Sequence, residues 1–299
     1  MLDVSLTRPI AIDTEQAEER PGVWRALLRS VDGRVGLALG GLMLAFIIIG
    51  PHVAPYSPTA IGVGDPQMGP SSQHLLGTDS LGRDVLSRLL CGGRTILFIP
   101  LVAVTLAYLV GGALGLLSAY VRGWPDFVIS RTMDFMMTLP PLLLTLVLIS
   151  GLGTSKVILA TTIAIVWVPR VGRVIRGAAQ GVVTSDYVLA AEARGERTLW
   201  IMGREIVPNI AGPALADYTL RLVGGIILVA SLNFLGLGAQ PPSPDWGLMV
   251  NESRASLSVT PLAVLAPAAA IALLSVGLVL IGEVLTRHLT REVVEMQTA

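Results

Sequence analysis

The chain has 299 residues, of which 53% are hydrophobic and 14% charged, with a mean hydropathy of +0.70; a water-soluble domain carries about 25% charged residues, so lipid is the solvent for most of this surface. Lys plus Arg and Asp plus Glu balance at 21 each, which removes any global electrostatic case for nucleic acid or another polyanion as ligand. The single cysteine, Cys91, excludes an intrachain disulfide and a multi-cysteine metal site, and its neighbours Gly92 and Gly93 point to ordinary packing.

Residues 1–34 are polar, mixed in charge, and read as a cytoplasmic tail. A cleavable signal would place its apolar stretch close to the N-terminus and follow it with small residues. Here a full-length apolar run, 35–53, comes late and is followed by Pro55 and Tyr56, so it reads as a retained first membrane helix. Residues 54–94 form a polar extracytoplasmic connection rich in Pro, Gly and Ser, with Arg83, Arg88 and Arg94 on a possible amphipathic segment at the interface.

Five further spans are expected within 95–283. They are 95–120 with Pro100 inside, 135–153 with Pro140 and Pro141 inside, a fourth beginning at Val157, then 213–236 and 261–281. Proline inside a span is tolerated where neighbouring helices or water satisfy the freed carbonyls. The fourth apolar run stops at Pro169 after only about 20 Å at helical rise, so that helix is expected to continue past Arg170 and Arg173, which snorkel toward the interface. Residues 177–212 are too polar for lipid and form a cytoplasmic loop, and 284–299 form a cytoplasmic tail. Basic residues concentrate on the side of the N-terminus, which orients both termini inward. Gly36 with Gly40, and Gly111 with Gly115, stand four apart on one helix face, a spacing that lets backbones approach. The expected fold is an all-α integral membrane protein of about six transmembrane helices, N-in and C-in.

Reactive groups are sparse. His52, His74 and His288 lie in different segments and form no metal-binding pair, and Lys156, between Ser155 and Val157, lacks the Gly-Lys-Ser/Thr phosphate cradle. Asp217 and Arg221 stand at i and i+4 near the start of the fifth span and read as an intrahelical ion pair close to a helix end. Asp126, Asp134 and Glu283 fall at the cytoplasmic edge. An ion-coupled secondary transporter needs a buried acid near the midplane and inverted repeats, and an intramembrane enzyme needs a catalytic set within its spans. Neither stands out, so no catalytic residue and no metal site are expected.

The polar loop carries the stretch Ser185 to Asn209, which reads as a short helix, a turn at Gly195 and a second helix stopped before Pro208. Its Ala190–Ala191 pair, Gly195, and Ile206, Pro208 and Asn209 after a spacer resemble the EAA loop of binding-protein-dependent ABC importer permeases. Upstream, the stretch His74 to Arg88 holds Gly77, Thr78, Asp79, Gly82, Arg83, Asp84, Ser87 and Arg88. It resembles the block before the second span in the second permease subunit of the dipeptide/oligopeptide subfamily. Arg131, Asp134 and Pro140 at the third span, and the stretch Phe234 to Gly247 after the fifth, agree with it as well.

The resemblance implies a type I ABC importer permease fold in the bacterial inner membrane, forming half of a pathway for short peptides delivered by an external binding protein. It implies a homologous permease subunit, two ATPase subunits, that binding protein and membrane lipid as partners. ATP and Mg are expected on the ATPase subunits, leaving no cofactor in this chain. A helix at about 186–194 is expected to dock in an ATPase groove and transmit its movement, with Asp186, Tyr187, Leu189, Ala190, Ala191, Glu192, Gly195, Ile206, Pro208 and Asn209 as coupling residues. Four positions depart from the family pattern. Leu189 replaces the leading Glu of the triplet, Glu205 a basic residue or His, Val229 an often polar residue, and Leu289-Thr290-Arg291 a Leu-Asp-Pro pattern. Asp186 or Glu192, one turn either way from Leu189, is expected to take over the missing acid's contact. The substrate stays open among dipeptides, oligopeptides, nickel, glutathione and antimicrobial peptides, with an ion-coupled secondary transporter as the alternative class.

Overall fold

The computed structural model describes residues 27–298, with side chains as far as His288. Helix α1 (Val31–Val53) opens at Ser30, whose hydroxyl accepts from the Gly33 amide at 3.0 Å, satisfying one of the donors a helix start leaves unpaired. The last residues of the expected N-terminal tail are therefore its first turn, while residues 1–26 lie outside the described residues. Helix α2 (Val85–Val121) is continuous apart from a π turn at Tyr108–Gly112. It begins about ten residues earlier than expected because the Asp84 carboxylate caps it, accepting from the Ser87 amide at 2.8 Å. Arg88 and Arg94 thus ride on its opening turns and not on a separate interfacial helix.

The expected third span is not one helix. Helices α3 (Trp124–Met137) and α4 (Pro141–Leu152) meet at 88°. Two consecutive prolines explain the break: each lacks an amide donor, and Pro141 drives Pro140 out of the helical region, to φ −59° and ψ 131°. Helix α5 (Lys156–Val182) runs through Pro169, Arg170 and Arg173 as expected, capped by Ser155. Helices α6 (Asp186–Ala193) and α7 (Thr198–Ile201) form the cytoplasmic loop. A π turn at Met202–Ile206 and a 3-10 turn at Pro208–Ile210 then lead into α8 (Ala211–Phe234). After α9 (Trp246–Ser253), α10 (Leu262–Thr298) continues through the segment expected to be a separate C-terminal tail. Among the described residues, five helical stretches are long and apolar enough to cross a membrane, six with the bent pair counted as one.

In lipid, apolar helices gain little by touching one another, so close backbone approach has to supply the cohesion. Helix α2 packs on α5, and α10 packs on both α1 and α8. A Cβ at Gly115 would lie 2.2 Å from the Gly172 carbonyl, and one at Gly111 2.4 Å from that of Val168. Gly36 and Gly40 seat α1 against Leu280 and Ile281 of α10, and a Cβ at Gly277 would sit 2.7 Å from the Gly40 nitrogen. Both expected small-residue pairs are specific contact points. Ile163, Val171, Ile226 and Leu232 are fully buried between the helices, while Leu109, Val147 and Leu220 stay on the outside.

Gly115→Val is expected to force α2 off α5, costing about 1–3 kcal/mol and lowering the unfolding temperature in detergent by several degrees. Gly112→Ala, at a position with open space, is expected to leave it unchanged. Parallel thermal melts of the two variants check this.

Candidate functional site

The upstream motif folds into a buried clamp on the outer side of the bundle. Gly77 (φ +77°) and Gly82 (φ +68°) hold the turns, and a Cβ at either would strike a carbonyl at 2.4 Å. The Thr78 hydroxyl accepts from the Met68 amide at 2.8 Å and donates to the Asp65 carbonyl. Asp79 accepts from the amides of Leu81 (2.9 Å) and Arg83 (3.1 Å). Its second oxygen takes Arg83 Nε and Arg88 Nη1, each at 2.6 Å. Both arginines then converge on Glu252 Oε2, at 2.8 and 2.7 Å. Two acids and two arginines, with Arg83 and Arg88 each 1% exposed, make a neutral, bridged set in which each charge has a partner. Asp84 meanwhile accepts from Ser87 and pairs with His74 Nδ1 at 2.9 Å.

This clamp joins two stretches that are distant in sequence. Arg88 donates to the Ser243 carbonyl at 3.3 Å and Trp246 Nε1 to the Leu89 carbonyl at 2.7 Å, and a Cβ at Gly92 would overlap the Pro244 carbonyl. Asp245 caps α9, accepting from Gly247 and Leu248, and takes the Asn233 amide at 2.7 Å. Glu252 belongs to neither motif and was missed by the sequence reading; an acid about one and a half turns past the Trp246 block, with two arginines awaiting a second counter-charge, was the signal it offered. Burial pushes the Asp79 carboxyl up, but the Arg83 and Leu81 amides and the Arg83 charge outweigh that and hold it below its ordinary value. Burial pushes the Asp245 carboxyl up to about 6.

On the cytoplasmic side, Val188, Ala191, Ile201 and Ile206 are fully buried and anchor the loop to the bundle. Asp186, Leu189, Ala190 and Glu192 face outward, and Tyr187 is half-buried with its hydroxyl enclosed. Gly195 closes α6 at φ +73° with its amide donating to the Glu192 carbonyl at 2.9 Å, a left-handed helix end. Pro208 begins the 3-10 turn, and Asn209 Nδ2 donates to the Glu205 carbonyl at 2.6 Å. Leu199 (81% exposed), Trp200 and Leu189 are large apolar side chains left exposed on this otherwise charged loop. At its root, Arg176 forks onto both oxygens of Asp126 at 2.7 and 2.8 Å, tying α5 to α3, and Ser118 of α2 donates to the same carboxylate. The helix that leads into the loop is thus joined to both α2 and α3.

The Asp217–Arg221 ion pair forms as expected, at 2.7 Å, but it lies deeper than a helix end. Asp217 is 8% exposed and accepts from the Tyr108 hydroxyl at 2.8 Å, and Tyr108 stands midway along α2. Arg221 also lies over the Trp167 ring, in the middle of α5. Val229, at the position often polar in relatives, is fully buried in the apolar core. Among the described residues no group of three or more His, Cys, Asp or Glu could hold a metal ion.

Glu252→Ala leaves two buried arginines with one acid and is expected to cost about 3 kcal/mol, read as a fall in the denaturant midpoint. The two buried carboxyls act in opposite directions with pH. The contribution of Asp79 is present above its ordinary value and lost as pH falls through the lower folded one. That of Asp245 is present at acid pH and lost as pH rises through about 6. Unfolding midpoints measured from pH 5 to 7 are expected to decline with pH in the native chain and to flatten in Asp245→Asn.

Residues 111–295 match the model of the family described as binding-protein-dependent transport system inner membrane component. The chain is 34% identical over 281 residues to the glutathione transport system permease protein of Pectobacterium atrosepticum, covering 93% of this chain and 92% of the relative. It is 35% identical to the dipeptide transport system permease protein of Alkalihalophilus pseudofirmus, with 87% of each covered. It is 37% identical to the probable D,D-dipeptide transport system permease protein of Escherichia coli, with 81% of each covered. With the membrane helices, the anchored cytoplasmic loop and these matches together, the chain belongs to the binding-protein-dependent transport system inner membrane components, as a multi-pass permease subunit of an ATP-driven ABC importer of the bacterial inner membrane.

Proposed function

We propose that this subunit forms half of a pathway that imports short peptides, and that its α6–α7 loop is the part an ATPase subunit grips. The observation that carries the reading is the two-sided character of that loop: Val188 and Ala191 lock it to the bundle while Leu189, Leu199 and Trp200 lie exposed. Exposed apolar side chains on a polar cytoplasmic loop suit a protein partner. Because the loop is seated on the bundle through Val188, Ala191, Ile201 and Ile206, and α5, which leads into it, is tied to α3 by Arg176 and Asp126, a rigid-body shift of the partner is passed to the spans. The peptide class rests on relatives named for dipeptide, D,D-dipeptide and glutathione transport, all short peptides.

The assembly we infer holds this chain, a homologous second permease, two ATPase subunits and an external binding protein. ATP and Mg are bound by the ATPases, and this chain performs no covalent chemistry and carries no cofactor. Asp186 and Glu192 flank Leu189 on the exposed side of α6 and supply the acidic contact that the missing Glu would have made. The Tyr120 hydroxyl sits against Glu192, which leaves Asp186 the freer of the two to reach a partner.

Leu189→Asp together with Leu199→Asp is expected to lower peptide-stimulated ATP hydrolysis and uptake at least tenfold in proteoliposomes, a loss of about 1.4 kcal/mol or more of coupling, with the permease still folded. The double reversal Asp186→Lys with Glu192→Lys is expected to do the same. Undiminished uptake in the reversal would remove those acids from the contact. ATP-independent peptide flux through the chain alone would overturn the importer reading.

A further inference from the structure

One group of polar residues in the middle of the bundle is not used by either loop. Arg170 and Arg221 both lie against the same indole, 5.7 and 5.1 Å from the Trp167 ring centroid. Asp217 is already committed: its two oxygens take Arg221 at 2.7 and 3.2 Å and the Tyr108 hydroxyl at 2.8 Å. Among the described residues no acid pairs with Arg170. Its Nη1 donates to the Val166 carbonyl at 3.1 Å, one turn back on its own helix, and the guanidinium is half-buried. The Trp167 side chain, 9% exposed, encloses an indole N–H that has no acceptor. The group thus carries one positive charge in excess and one buried donor without an acceptor, midway along α5. A half-buried guanidinium with no paired acid, beside a buried N–H with no acceptor, is fitted by an anion.

Between α2 and α8 opens a cavity of about 650 Å³ walled mainly by apolar residues such as Leu116, Ala214 and Leu215; Arg170 and Trp167 are not on its wall, and Tyr108, which is, links it to them through Asp217 and Arg221. Apolar walls with a few convergent polar groups are the usual make-up of a small-molecule site, and this volume is in the usual range. Tyr218, on the same wall, stacks edge-on to Tyr108 at 5.1 Å and shares a 2.9 Å hydrogen bond with Thr105.

We propose that Arg170, with the Trp167 indole N–H, is a transit site for the carboxylate of a short peptide, the cavity beside Tyr108 receiving its apolar side chains. This rests on the peptide-importer reading above and adds a place within the pathway where the substrate's charge is met. Arginine suits the role, since its planar fork matches a carboxylate with two parallel hydrogen bonds.

The test uses the complete transporter in proteoliposomes, with the external binding protein, and compares uptake of Ala-Ala, Ala-Ala amide and Ala-Glu amide by the native complex, Arg170→Gln and Arg170→Lys. Affinity for the binding protein is a property of another chain and cancels in each variant-to-native ratio. Arg170→Gln is expected to lower Ala-Ala uptake roughly ten- to hundredfold, the weight of a charge-assisted hydrogen bond. Uptake of Ala-Ala amide should hold at its native level, and Arg170→Lys should restore part of the loss. An equal fall for Ala-Glu amide means that any carboxylate is met, and an unchanged Ala-Glu amide means the terminal one; both support the site. Equal ratios for Ala-Ala and Ala-Ala amide overturn it, as does a uniform loss accompanied by release of the second permease subunit, which would make Arg170 a subunit contact. A native complex that imports none of the three with ATP overturns the peptide reading itself, and native import with an insensitive Arg170→Gln overturns only the transit site.

Discussion

The approach of Gly115 to the Gly172 carbonyl, with Gly111 on Val168 one turn away, sets the position of nearly everything else in this subunit. Where the surroundings are as apolar as leucine, helices are not driven together by exclusion from water, and the contact that decides their spacing is backbone on backbone. Once α2 and α5 are this close, their side chains meet in matched layers. Tyr108 comes level with Trp167 and the α8 acid, and Ser118 reaches the carboxylate that Arg176 holds. A wider spacing would leave those polar groups in hydrocarbon without partners, at several kcal/mol each.

The chain places its charges accordingly. Outside the spans, four ionised groups are sealed together at Asp79, Arg83, Arg88 and Glu252, where each has a partner and the turn glycines fix the geometry. At the cytoplasmic root, Arg176 and Asp126 make a partly exposed fork, well suited to a joint that carries load without being frozen. In mid-bundle the balance is uneven: among the described residues Arg170 pairs with no acid, and the Trp167 indole N–H has no acceptor. Structural charge sets are closed in this molecule, so an open one stands apart from them.

The number of spans was legible because runs near 20 apolar residues need no tertiary information, and the course of α5 past Arg170 and Arg173 followed from its length. The break between α3 and α4 was misread, although both prolines were in view, because the apolar run continues smoothly across Pro140 and hydropathy does not register an 88° bend. The early start of α2 was hidden by its polar opening turn: Asp84, Ser87 and Arg88 read as loop until the partners of Arg88, Glu252 and Ser243, are known to be adjacent. Those contacts span more than 150 residues, beyond the reach of local pattern. The depth of Asp217 was likewise invisible, since it depends on which residue of α2 lies opposite.

The π turn at Tyr108–Gly112 gives α2 a property that an unbroken helix of its length lacks. A π turn accommodates one surplus residue, which offsets the angular phase of everything beyond it by about 100°. The outer half of α2 is keyed to the α9 loop by Gly92 and Trp246, and the inner half to α5 by Gly115. With the phase offset between them, the two ends need not share a single periodicity. Each can be fitted to its own neighbour: a single-residue deletion inside the turn lets it close as ordinary α-helix with both ends in place, whereas the same deletion elsewhere in α2 turns one end about 100° away from its neighbour while leaving the composition and hydropathy of the span almost untouched.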